Sequence, residues 1–565
     1  MLNFRHQILT SALLLAALLT ASATDVAAQQ PKRTTEDFEL GKATEILANI
    51  MREFEMGYVD KVDAGRMLEY AAEGMVRATD PYSEYLSEED MEQFEILTTG
   101  RYGGVGSLIR KRGDYVLFAQ PYKGSPSDLA GIKVGDKILA IDGHDAYKMD
   151  VSEVSKRLKG QPETAVEVVV ERSYTGAVDT LNITRRHITI PSVSYAGIIR
   201  DGIGYISHND FIEGSYNEVR AALERLMASD SLHGLILDYR SNGGGLVQEA
   251  IDIASLFVPR GERIVSIMGR DSSSLRDFRT EHLPLATELP IVMLVSSSSA
   301  SASEILAGAL QDTDRGVIMG QRTFGKGLVQ GTRHVGYNSF LKYTTAKYYI
   351  PSGRCIQAVN YASRDEDGSV RSVPDSLISE FSTRGGRKVY DGGGIVPDVK
   401  IEPEYVSRFA LTLYAMGYME NWADEYMRKH HSEPIDIRTF AISDSDYADF
   451  TAYIAEQDVP YESNTRHALN ALEKAVEEDL YGEELGAALD ALRALVKDDK
   501  VSNMETYSRE IREAMNGYIV MRYAYNEGAV EHSVVHDSTV DQAVELLLND
   551  KEYRRILREQ DLSMH

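Results

Sequence analysis

Six serines fall within the nine residues Ser296–Glu304, SSSSASASE. A serine hydroxyl becomes a nucleophile only beside a group that takes its proton, so the question is which serine has such a partner. Histidine is the usual base, yet His208, His233, His282 and His334 stand in no recognisable triad setting and read as surface or packing residues. The other candidate is Lys326 in TFGKG. A lysine acts as a base only when deprotonated, so its pKa must fall from about 10.4 to about 7 through burial and neighbouring positive charge. Gly325 and Gly327 on either side, with Phe324, Leu328 and Val329 around them, suit such burial. A third element is the glycine run DYRSNGGG, Asp238–Gly245. Its bare N–H groups could face an oxyanion or a phosphate, and a plain tight turn between strand and helix is an equal reading. Gly320–Gly327, GQRTFGKG, fits the phosphate-cradling GxxxxGK, but Gly327 stands where Ser or Thr should hold magnesium. The following FLKYTTAKYY also reads as strand where a helix is required, so the nucleotide reading fails twice.

These groups need elements to position them. The apolar IVMLV runs straight into the serines, and Ile305, Leu306, Ala309 and Leu310 give a helical face from about Ala302 onward. One of the later serines therefore stands at a strand-to-helix turn, beside N–H groups that favour negative charge. Nucleophilic serines of α/β sheets sit in such places, and so do N-capping serines with no chemistry. HGLILDYR likewise leads through the glycine run into the helical EAIDIASLF. This alternation over residues 190–400 predicts an α/β layer with a mostly parallel sheet. Residues 101–185 read as a compact β-rich module with one short helix at SEVSKRLKG, and residues 36–97 as helical, with Ile46, Ile50 and Phe54 on one face. Beyond residue 400 the chain is helical and charged. Leu485, Leu489, Leu492 and Val496 make one apolar stripe and QAVELLLNDKEYRRIL another, both expected to pack onto the same chain.

Bulk properties bound the rest. A chain of 565 residues has room for several domains, since one core rarely organises more than about 250 residues. The 87 acidic against 60 basic residues, a net charge of −27, argue against nucleic acid as a partner and disfavour anionic lipid. MLNFRHQ followed by ILTSALLLAALLTASA reads as a signal peptide over residues 1–28, cleaved near Ala28. Its apolar part is shorter than the roughly 20 residues of a spanning helix, so no stable membrane insertion is expected after cleavage. Cys355 is the single cysteine and excludes an internal disulfide or a Cys-based zinc site. An extracytoplasmic protein, most simply periplasmic, is the expectation.

SASASEILAGALQD, then R-x4-G, then TFGKGLVQ, with LILDYRSNGGG upstream and AKYYIPSGRCIQ downstream, resembles the carboxyl-terminal processing (tail-specific) serine peptidases. The resemblance implies Ser301 as nucleophile, Lys326 as base and Gln330 as the residue supporting the lysine. Fully extended, positions four apart lie about 13 Å apart, so contact between Lys326 and Gln330 needs a turn after the glycines. The implied oxyanion donors are the N–H of Ala302 and one N–H of the glycine run, with Gly244 the first choice among them. Here the sequence departs from the family, whose Asn-Pro-Gly-Gly is Asn242-Gly243-Gly244-Gly245.

The same resemblance identifies the β-rich module as a PDZ domain. Tyr102, Gly103, Gly104, Val105 and Gly106 would receive a substrate's C-terminal carboxylate, and an exposed sheet edge would pair with the arriving tail. Residues 36–98 correspond to the family's N-terminal helical region, with Tyr82 where it has histidine, and residues 190–400 to its protease core, of the ClpP/crotonase-like α/β type. Residues 401–565, the C-terminal helical region, are covered only loosely. The implied activity is peptide-bond cleavage through an acyl-enzyme, with no metal or cofactor. Its partners are protein substrates with free, unstructured C-termini, and the resemblance leaves room for an adaptor protein and a homo-oligomer. The rival reading is a non-catalytic PDZ scaffold on a protease-like fold, which has no use for Ser301, Lys326 and Gln330 together.

Overall fold

The computed structural model describes residues 35–364, 370–372, 377–479, 482–496 and 500–558. The expected signal peptide lies outside them. The chain divides into two compact units, Met1–Tyr85 and Leu86–His565. In the first, helix Thr35–Gly57 precedes helix Ala64–Arg77, whose N-cap Asp63 accepts from the N–H groups of Gly65 and Arg66. The expected face of Ile46, Ile50 and Phe54 forms on the longer helix and is exposed.

The second unit is built around a six-stranded sheet. Its strands are β1 (Val193–Arg200), β2 (Ile203–His208), β3 (Gly234–Asp238), β4 (Ile291–Val295), β5 (Val317–Gly320) and β6 (Val399–Lys400), in that spatial order. β1 and β2 are antiparallel, and β2 to β6 run parallel. The mostly parallel α/β layer is thus present. Asp201 and Gly202 join β1 to β2 with φ of 51° and 71°, as a two-residue hairpin turn requires. The continuous apolar runs of β3 and β4 are buried at every position because both faces of the sheet are covered. Helices α1 (Ser215–Met227), α2 (Val247–Ser255) and α3 (Ala302–Asp312) fill one side.

The other face of the sheet meets the end of the chain. Helix α4 (Ser508–His536) supplies Val534 and α5 (Ser538–Leu548) supplies Val540, Val544 and Leu547, packed on Tyr205, Ile236, Val292 and Leu294. The stripe in QAVELLLNDKEYRRIL therefore packs onto the same chain, and the Tyr553 hydroxyl hydrogen-bonds both the N–H and the carbonyl of Ile291. The other stripe differs. Leu485 and Leu492, on helix Gly482–Leu495, are 41% and 43% exposed. That helix pairs with Asn464–Glu478, whose own Leu469 and Val476 take the buried positions. A separate core of Phe409, Leu413, Trp422, Phe450, Ile511 and Ile519 holds the C-terminal helices together.

The β-rich module is an antiparallel sheet in the order Ser107–Arg112, Tyr115–Pro121, Lys137–Ile141, Ala165–Glu171, Val178–Thr184, over a core that includes Val116, Phe118, Ile138 and Val168. The short helix expected at SEVSKRLKG is Val151–Leu158, beside the edge strand Ser107–Arg112.

Candidate active site

The serine turn joins β4 to α3 and abuts the glycine run at the end of β3. Ser301 is the N-cap of α3 and has φ of 56° and ψ of −113°. Such a backbone is uncommon for any residue but glycine and costs on the order of 1–3 kcal/mol, so the surroundings must hold it. Other serines of the run do much of that holding. Ser296 Oγ donates to the Arg240 carbonyl, Ser299 Oγ to the Tyr239 carbonyl at 2.8 Å, and Ser303 Oγ lies 2.9 Å from both the carbonyl and Oδ1 of Asn242. The Ala300 N–H also donates to the Asn242 carbonyl, at 3.2 Å.

Gly244 explains the close approach of the two loops. A Cβ there would lie 2.8 Å from Ser301 Cβ and 3.0 Å from the Ala302 nitrogen, and its φ is 102°. Its N–H donates to Asn242 Oδ1 at 2.9 Å, while Asn242 Nδ2 donates to the His208 carbonyl at 3.0 Å. Gly243, standing where the family has proline, meets nothing within 4 Å and has no positive φ. Ala302 opens α3, so its N–H has no acceptor within the helix.

Glu304 and Tyr348 bring the lysine segment to the serine. Glu304 is 0% exposed. Its Oε2 accepts the N–H groups of Ser301 (2.8 Å) and Lys326 (2.9 Å), and its Oε1 accepts the Gly325 N–H (2.7 Å) and the Thr323 hydroxyl (2.5 Å). Burial pushes the Glu304 carboxyl above its ordinary range, and these four bonds pull it part of the way back. The Tyr348 hydroxyl, from strand Ser339–Tyr349, lies 3.0 Å from the Ser301 carbonyl oxygen and donates to the Lys326 carbonyl. One carboxylate and one phenol thus hold both backbones, a link no local spacing announces. Glu304, Asn242 and Tyr348 all stand in motifs legible in the sequence (Ala-Ser-Glu, DYRSNGGG and AKYYIPSGRCIQ), but nothing there marks them as the groups that hold these backbones.

Lys326 is half-buried. Of the apolar residues expected around it, Leu328 is buried at 6% exposed, whereas Phe324 is 52% exposed. Gly325, with φ of 86°, turns the chain before the lysine, and strand Leu328–Gly336 follows. Gln330 is half-buried in that strand and donates from Nε2 to Thr344 Oγ1 at 3.3 Å.

In the β-rich module Tyr102, Gly103 and Gly104 lie in strand Arg101–Gly104, opposite Ile188, His187 and Arg186. Val105 is buried, and Gly106, at φ of 79°, turns the chain into the edge strand. Its carbonyl accepts from the hydroxyls of Ser125 and Ser127, both at 2.8 Å. Among the described residues no three His, Cys, Asp or Glu side chains group to hold a metal ion, and no helix is long and apolar enough to cross a membrane.

With this geometry in hand, comparison with known proteins assigns the parts. Residues 202–363 match the model of peptidase family S41, residues 117–172 that of the PDZ domain, and residues 409–547 that of the C-terminal helical domain of a probable PDZ-protease. A carboxy-terminal-processing protease of Bartonella bacilliformis is 34% identical over 305 residues, covering 54% of this chain and 70% of that protein. The chain belongs to the carboxyl-terminal processing protease family. A probable CtpA-like serine protease of Staphylococcus aureus is 33% identical over 312 residues, 55% of this chain and 62% of the relative. Among solved structures, a photosystem II D1 C-terminal processing protease shares 28% identity over 63% of this chain and 87% of its own, with a TM-score of 0.34. The β-rich module is the PDZ domain, and the C-terminal helices, which resembled the family only loosely by sequence motif, match a domain model of their own.

Proposed function

We propose that the protein is an exported, periplasmic serine endopeptidase that binds the C-terminal tail of protein substrates through its PDZ domain and cleaves them with Ser301 as nucleophile and Lys326 as base. The observation that carries this reading is the shared clamp, in which Glu304 and Tyr348 each bond the backbones of both Ser301 and Lys326. Two loops far apart in sequence are held together at the one strained serine.

The steps follow from acyl-transfer chemistry. Neutral Lys326 takes the hydroxyl proton as Ser301 Oγ bonds to the scissile carbonyl carbon. The oxyanion meets the Ala302 N–H and a donor of the glycine run, Gly244 once its N–H leaves Asn242. Protonated Lys326 then gives its proton to the departing amine, and water, deprotonated in turn by the lysine, releases the acyl group. Gln330 supports the lysine from the adjoining strand. The PDZ turn Tyr102–Gly106 takes the free carboxylate and the edge strand Ser107–Arg112 pairs with the tail.

The test is cleavage of an unstructured protein with an apolar C-terminus. Wild type cleaves it, and Ser301→Ala and Lys326→Ala each lose about 10³-fold or more in kcat/KM. Equal activity in all three would end the assignment.

A further inference from the structure

Helix α4 is one run of sequence and two helices in space. Ala524 (φ −133°) and Tyr525 (φ 56°, ψ −162°) leave helical geometry without any glycine or proline at the break. Such a backbone at a tyrosine is strained and persists only when gripped from outside. The grip comes from the PDZ domain. The Tyr525 hydroxyl donates to Asp128 at 2.6 Å, the Lys133 ammonium lies 5.6 Å from its ring centre, and Lys123 pairs with Glu527 at 3.2 Å. Before the break, Ile511, Met515 and Ile519 pack in the core of the C-terminal helices; after it, Val534 packs on the protease sheet.

The second half of α4 borders two open cavities of about 650 and 580 Å³. Ser194, Asn209 and Asn526 line both, so the two form one cleft. At one end stand Gln120–Lys123 of the PDZ domain, and at the other Ser296 and Ser298 of the serine turn.

We propose that this cleft is the subsite that conducts an extended, unfolded polypeptide from the PDZ domain toward Ser301, with Asn526–His536 of α4 and the adjoining Asp537 as its wall. The inference rests on the peptidase reading above and adds a binding role for the C-terminal helical domain. The chemistry of the lining supports it. The cavity nearer the serine turn is faced by six serines and two asparagines, groups that can both donate to and accept from backbone amides. Arg240 in this lining pairs with two carboxylates, Asp238 (2.6 Å) and Asp537 (2.7 Å), so the cavity keeps a net negative charge and disfavours acidic side chains. His208, 1% exposed, belongs to the same lining, and its Nε2 has no hydrogen-bond partner among the described residues. The farther cavity is lined by Val193–Ala196 in succession. These belong to β1, the edge of the sheet, and an edge strand pairs with an extended chain through its backbone.

Ser533 and Ala529 face the cavity nearer the serine turn, and a tryptophan at either position obstructs it. In the full-length protein, Ser533→Trp and Ala529→Trp are each compared with wild type in two assays. One is kcat/KM on an unfolded protein with a free apolar C-terminus. The other is acylation of Ser301 by p-nitrophenyl acetate, too small to need the cleft. The ratio of the first to the second falls at least tenfold in both variants if the cleft carries the polypeptide. A ratio within twofold of wild type in both, whether the two rates hold or fall together, overturns the inference and leaves the peptidase reading standing. A wild type that neither cleaves nor is acylated would end that reading, and this one with it.

Discussion

The serine turn and the glycine run end neighbouring parallel strands, β4 and β3, and meet at Ser301, yet they are held by opposite means. The serine turn is fixed by what its side chains give: Ser296, Ser299 and Ser303 donate to carbonyl groups of Arg240, Tyr239 and Asn242. The glycine run contributes by what it lacks. Gly244 and Gly245 adopt φ of 102° and 144° and leave no room for a Cβ, whereas Gly243 does. A strained serine therefore needs both a stitched turn and a bare surface to lie against, and the two demands fall on different residues.

The comparison breaks most sharply at Gly244. Gly244→Ala places a methyl 2.8 Å from Ser301 Cβ in an unfavourable backbone conformation. The expected result is at least about a 100-fold loss of kcat/KM with about 1–3 kcal/mol of stability lost in chemical denaturation. The next effect is acid sensitivity on the glycine side, where the His208 carbonyl anchors Asn242. Burial pushes the His208 imidazole down to about 3. As pH falls below the usual value of about 6.5, the unfolded chain takes up a proton that the folded one refuses. Stability then drops by about 1.4 kcal/mol per pH unit until about pH 3. Denaturation midpoints of wild type and His208→Gln at pH 6 and pH 4.5 check this, the variant showing the shallower loss.

Smaller still is Ser299→Ala, which removes one stitch and leaves the Tyr239 carbonyl without its serine donor, for about 1 kcal/mol. Ester acylation should slow with it, because the turn that holds Ser301 loosens. Gly243→Ala sets the floor. With nothing within 4 Å of the added methyl, stability should stay within about 0.5 kcal/mol and cleavage within about twofold of wild type.

Much of this site is legible in the chain. IVMLV followed by the face of Ile305, Leu306, Ala309 and Leu310 locates the strand, the turn and the helix, because local apolar period carries that information. The stitches are not legible, since a serine run offers six chemically equal hydroxyls and only the folded approach of Tyr239–Asn242 gives them different partners. Glu304 is visible as a motif letter, but its grip on Lys326 depends on a segment 22 residues away. The exposure of Phe324 and of the Leu485 stripe shows the same limit, because apolar character does not say whether a partner will be near. The break at Tyr525 has no proline or glycine at it, although Gly528 just beyond leaves room for Ala524: a Cβ at Gly528 would lie 2.3 Å from Ala524 Cβ. Tyr525 is held there by Asp128 and Lys133 of the PDZ domain, tertiary partners that helix propensity does not register.

One hydroxyl among six is the proposed nucleophile. The most direct test is to react the protein with a slowly hydrolysed activated ester or peptide ester, quench in acid, and locate the acyl group by peptide mass spectrometry. The expected result is a single adduct on Ser301 that is absent from Lys326→Ala on the same timescale. An adduct on another serine of Ser296–Ser303, or substrate turnover with no adduct on Ser301 and undiminished in Ser301→Ala, would contradict it.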